Sequence, residues 1–188
     1  MHSGWGALVA VTNSAGKIEV IERRRIEFIT PTVAGAKQPY HFAANLELPE
    51  AEKFIAKCFA APKSLAAQAI RELLAELSAR QFRVAGAAVV LASGRPLPPL
   101  EKILVAHPLL HTAEGQFFRE AFAKACDSLA LPVTGVRERD LEAQLQQTFG
   151  KAAAKLHRQI SNAGRVLGPP WTQDQKSAAL AALTLLAK

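Results

Sequence analysis

The sequence predicts an α/β protein: one mixed β-sheet that opens with an antiparallel hairpin and carries helices on both faces. Three observations lead there. Two β-rich runs lie in "GWGALVAVTNSAGKIEVIERRRIEFIT", Gly4 to Thr30, separated by Asn13, Ser14, Ala15 and Gly16, which is turn chemistry. "FRVAGAAVVLA", Phe82 to Ala92, is an almost continuous apolar run, the pattern of a strand covered on both faces. From residue 83 onward strand and helix patterns alternate, which predicts parallel pairing by right-handed crossover.

The bulk numbers fit that class. A chain of 188 residues, 49% hydrophobic and 21% charged, buries a sizeable core and reads as a single domain, 1–188, with no repeat or low-complexity tract. Its two cysteines, Cys58 and Cys126, sit in helical patterns and read as small buried hydrophobes, so no disulfide framework is expected. No signal-like leader and no run of about 20 apolar residues is present, which points to a cytoplasmic protein. The formal charge of +7 favours an anionic partner, most simply nucleic acid.

The elements follow in order. In the second β run, Ile18, Val20, Arg24, Ile26 and Phe28 alternate with Glu19, Ile21, Arg23, Arg25 and Glu27, giving one largely apolar face and one largely charged. Pro31 to Leu48 reads as a loop with a short edge strand at Tyr40 to Phe42. Apolar residues recur at helical spacing over 50–60 and again over 64–79, with Pro62 as the break between two helices. "SGRPLPPLEKILVAHPLLH" reads as a packed loop with a short helix. Phe117, Phe118, Ala121, Phe122, Ala125 and Leu129 then form the stripe of a core-facing helix, "LPVTGV" is a short strand, and residues 139–167 return to helix. "WTQDQKSAALAALTLLAK" is the last helix.

This order, together with three local matches, resembles the ribonuclease H-like fold and in particular the RuvC-type Holliday-junction resolvases. The opening "HSGWGALVAVTNSAGKIEVIERRRIEF" is similar to the family's first hairpin. "EGQFFREAFAKACDSLALPVTGV" is similar to its helix-to-strand segment, and "DQKSAALAALTLLA" to its last helix. The resemblance implies metal-assisted phosphodiester hydrolysis, in which two Mg²⁺ or Mn²⁺ ions about 4 Å apart are held by converging carboxylates. Carried over residue by residue, most of those acids are missing. The first-strand acid falls on Met1, beside His2 and Ser3, and the acid after the buried strand falls near Leu91 to Ser93, where none stands. Asp174 matches the first acid of the last helix, but Ser177 occupies the second. One carboxylate holds Mg²⁺ weakly, because the ion gives up its waters reluctantly.

Each candidate has a plainer role beside the functional one. Asp174 is either a metal ligand and catalytic acid or a first-turn residue of a helix capped by Thr172 and Gln175. If strand and last helix pack as in the resembled fold, His2, Ser3, Asp174 and Lys176 converge; the plainer reading of His2 is a ragged terminus. His107 and His111 stand four apart, a zinc-ligand spacing, with Pro108 between them and a third ligand missing. Glu114 either stabilises the first turn of the Phe-rich helix or forms an acid-base pair with His111. Lys151, Lys155, Arg158, Asn162 and Arg165 align on one helix face opposite Leu156, Ile160, Ala163 and Leu167, so they either follow phosphates or form a solvated face. Arg95 ends the buried strand, where it could grip a phosphate, and Arg23 to Arg25 read as a charged outer sheet face.

Three functions fit these residues. The foremost is a nucleic-acid-binding protein or pseudo-nuclease of the RuvC type. The others are an atypical metal-dependent nuclease completed by an acid such as Glu114, and a protein-interaction module or homodimer.

Overall fold

The structure is a computed structural model, and it describes residues 1–14, 17–30, 33–92 and 94–186. The mixed α/β class holds. The chain runs β1 (Trp5–Ser14), β2 (Lys17–Glu27), α1 (Pro39–Ala43), α2 (Leu48–Ala79), β3 (Ala87–Leu91), α3 (Leu100–Leu104), α4 (His107–Ser128), β4 (Val133–Arg137), α5 (Leu141–Phe149), α6 (Ala153–Asn162), α7 (Gly164–Leu167) and α8 (Gln173–Leu183). Short 3-10 turns occupy Glu138–Asp140 and Gly150–Ala152. Part of the expected hairpin turn, Ala15 and Gly16, lies outside the described residues, as does Ser93.

Pairing differs from a single sheet. β1 and β2 form one two-stranded sheet, and β3 and β4 form another, parallel, with Val89 opposite Gly135. The parallel pair meets the expectation from strand and helix alternation. In β3 only Val89 is buried, so the apolar run is less covered than its composition suggests.

The contacts cluster into two compact units. The first comprises residues 1–6, 26–85 and 94–132. Its core is α2 against α4, and the heptad-like burial of Ala51, Cys58, Pro62, Ala66, Ile70, Leu73 and Leu77 shows why α2 is one helix rather than two. Pro62 falls on that stripe and is fully buried, so its ring fills the core while the packing on either side holds the helix across the missing N–H. Phe118 is fully buried beside Phe28, and Phe117 meets Phe59 and Tyr40 edge-on. Each such side chain contributes about 2–3 kcal/mol by leaving water. Cys58 and Cys126 are free and buried, as expected, and burial reinforced by neighbouring Asp127 pushes the Cys126 thiol up to about 12.

The second unit comprises residues 7–25, 86–93 and 133–188. α8 is apolar nearly all round because it has two packing partners. Ala179, Leu180 and Leu183 join Val9, Ile18, Leu145, Leu156 and Ile160, while Ala181 joins Val136 and Leu141. That accounts for the Ala/Leu composition of the last helix. Among the described residues no helix is long and apolar enough to cross a membrane.

Candidate nucleic-acid interface and a histidine cluster

Residues 150–167 carry Lys151, Lys155, Arg158 and Arg165 and no Asp or Glu. All four cations are exposed, while Leu156 and Ile160 are buried in the second unit's core. The expected single helix is divided into a 3-10 turn, α6 and α7. The backbone nevertheless stays right-handed at both joints, Ala152 (φ −79°, ψ −17°) and Ala163 (φ −57°, ψ −28°), which preserves the helical spacing of the cations. The far end is fixed by Trp171, whose Nε1–H donates to the Ile160 carbonyl at 2.8 Å. Gly164 makes that approach possible, since a Cβ there would lie 2.7 Å from the Trp171 side chain. A cleft of about 340 Å³, lined by Asn162, Arg165, Gly168 and Trp171 among others, opens at this end.

Arg23 departs from the sequence reading. Its guanidinium does not sit on a solvated sheet face but donates to the carbonyls of Leu167, Gly168, Pro169 and Pro170 at 2.6, 2.8, 3.2 and 2.5 Å. Five donors in a rigid fork suit a loop whose carbonyls converge, and nothing local in "ERRR" signals this. Beside it, Arg24 pairs with Glu22 at 3.2 Å.

At the start of α8, the Gln175 side-chain oxygen accepts the Thr172 N–H at 2.9 Å and the Thr172 hydroxyl at 2.7 Å. The glutamine part of the expected capping box is therefore in place, and Asp174 is half-buried in the first turn. Ser177, where the sequence resemblance leads one to expect a second acid, is buried and accepts from Gln173 Nε2 at 3.0 Å. Lys176 is half-buried rather than displayed, and Arg95 is exposed in the first unit.

The first unit holds a different constellation. The expected edge strand at Tyr40 to Phe42 is instead α1, opened by Pro39, whose fixed φ suits a first helical turn. Its leading N–H groups are satisfied by Glu114: Oε1 accepts from Tyr40 N at 3.1 Å, His41 N at 3.2 Å and His41 Nδ1 at 3.1 Å, and the Ser3 hydroxyl reaches Oε2 at 3.4 Å. Glu114 is 1% exposed. It is not a first-turn residue, because α4 begins at His107; Pro108 sits in the opening turn, where the missing N–H costs nothing. Burial together with the charges of Glu120 and Glu114 raises the Tyr40 hydroxyl pKa.

His107 and His111 are exposed on α4 and meet His41 of α1. The ring centroids lie 4.6 Å apart for His107 and His111, 4.6 Å for His41 and His111, and 5.5 Å for His41 and His107. The acid-base partner of Glu114 is thus His41, not His111. His2 stands apart, stacked on Trp5 with centroids 4.2 Å apart. Among the described residues, the three histidines form the one group with three potential metal ligands, and Asp174 is outside it.

No family model, curated protein or solved structure matches this chain.

Proposed function

We propose that the protein is a nucleic-acid-binding member of the ribonuclease H-like class, a pseudo-nuclease of the RuvC type. The observation that carries the reading is the acid-free stretch from Gly150 to Leu167, with four exposed cations on a packed helical support. Such a stripe can replace counterions along a phosphate backbone, and the gain is mostly entropic and salt-dependent. Trp171 and Arg165 at the cleft add an aromatic and a guanidinium of the kind that contact unpaired bases. The order of hairpin, helix, strand, helix, strand and helices supports the fold assignment. The capped start of α8 supports a binding role over two-metal cleavage, since Thr172 and Gln175 account for the helix start and Ser177 supplies no second carboxylate.

The test is equilibrium binding of labelled single-stranded, duplex and branched DNA, and of RNA, across a salt series. Binding that weakens steeply with salt is expected. Lys155→Ser with Arg158→Ser should lower the slope of log K against log salt by about 0.7–0.9 for each contact removed. Absence of binding to all four probes at low salt would refute the reading.

A further inference from the structure

The geometry points to a second site, independent of the nucleic-acid reading: His41, His107 and His111 bind one divalent transition-metal ion of the zinc class. Each histidine offers a ring nitrogen, and these three atoms lie within 4.8 Å of one another. The edge of a zinc tetrahedron with Zn–N bonds of about 2.0–2.1 Å is roughly 3.3 Å. Closing the difference takes side-chain rotation of His107 and His111, which are exposed and one helical turn apart at i and i+4.

His41 supplies the stronger indication. Its Nδ1 faces Glu114 Oε1, an oxygen that also accepts the Tyr40 and His41 N–H groups, so in the neutral ring the proton belongs on Nδ1 and the lone pair on Nε2. That Nε2 is buried and has no hydrogen-bond partner among the described residues. A buried polar atom without a partner is costly, and a metal ion satisfies a lone pair that no donor reaches. A histidine that ligates through one nitrogen and donates from the other to a carboxylate is the recurring orienting arrangement of metal sites. Here Glu114 is itself fixed by the Tyr40 and His41 N–H groups, so the ring it holds is fixed to α1.

Three neutral nitrogen donors select a borderline cation, Zn²⁺ or Co²⁺, over Mg²⁺ or Mn²⁺, which favour oxygen. Three protein ligands also leave a fourth position for water or an anionic ligand. The site therefore differs from the Asp174 site expected from sequence in its donors, its cation and its unit.

The experiment is a titration of the untagged full chain with Co²⁺ and Zn²⁺, reading visible cobalt absorption and equilibrium dialysis. About one equivalent should bind. His107→Asn with His111→Asn alters two exposed side chains and should weaken binding at least 100-fold with an unchanged far-UV CD spectrum, while His157→Asn on α6 should leave it unchanged. Glu114→Gln should weaken it about 10- to 100-fold. No bound equivalent, wild-type affinity in the double variant, or an equal loss in His157→Asn would overturn the site. Wild-type affinity in Glu114→Gln would overturn the orienting role of the carboxylate.

Discussion

The basic stripe and the histidine cluster are assembled in opposite ways. Lys151, Lys155, Arg158 and Arg165 lie within one stretch of helix and turn, and their common exposure follows from a spacing that is written in the local sequence. His41 meets His107 and His111 across more than 60 residues, through a five-residue helix that the sequence reads as strand. The stripe depends on its surroundings only for support. The cluster depends on one buried carboxylate for its existence, because Glu114 both opens α1 and orients His41. Local periodicity makes surfaces legible; a site closed by a tertiary hydrogen bond is not.

The largest expected effect tests that dependence. Glu114→Ala removes the acceptor of two helix N–H groups, an imidazole and a hydroxyl, and leaves them inside a packed region. Urea unfolding should show a loss of about 3 kcal/mol, the scale for abandoning charged hydrogen bonds with buried donors left unmade. Lys155→Ala, by contrast, should stay within about 0.5 kcal/mol of wild type. A loss under about 1 kcal/mol at Glu114 would mean that α1 is held by apolar packing, and the contrast between the two sites would disappear.

The same distinction explains which parts of the fold were readable. The hairpin, the parallel pairing of β3 and β4, the buried cysteines and the Phe117–Phe118 stripe all followed from period and turn chemistry. Proline misleads in one direction, since at each of three places it reads against helix and the structure has helix. Pro62 looked like a break, yet a buried stripe running along α2 outweighs one lost hydrogen bond. Pro39 reads as a loop residue and Pro108 as an interruption between His107 and His111, yet each occupies an opening turn, where proline is favoured. The spacing of His107 and His111 was visible, and so was Glu114 three residues on, but His41 carried no local signal. The one available hint was compositional: "PYHFA" holds a helix-opening proline and few strand formers besides Tyr40 and Phe42.

A middle-sized effect is expected at Arg23, which belongs to the second unit but is built like the histidine cluster, by a contact spanning more than 140 residues. Arg23→Met keeps the stem and removes the donors to four loop carbonyls. Two of those contacts are exposed, so water replaces them, and the cost should be about 1–2 kcal/mol in thermal or urea unfolding. The sharper readout is proteolysis of the segment from Leu167 to Trp171, which should quicken in the variant while cleavage within α2 is unchanged. Equal protection in both proteins would show that Trp171 and Gly164 alone hold the loop.

The smallest effect separates support from function at the start of α8. Gln175→Ala removes the single oxygen that accepts both the Thr172 N–H and hydroxyl. Thr172 is exposed, so water takes over part of the loss, and the expected cost is about 1 kcal/mol or less. Asp174→Asn keeps the shape of the side chain and removes a charge placed favourably near the helix N-terminus, for about 0.3–1 kcal/mol that shrinks in high salt. If Asp174 serves the helix, the two losses should appear in unfolding while nucleic-acid affinity remains at its wild-type value. A tighter complex in Asp174→Asn would instead show that the acid repels phosphate, and would extend the binding surface from α6 to the first turn of α8.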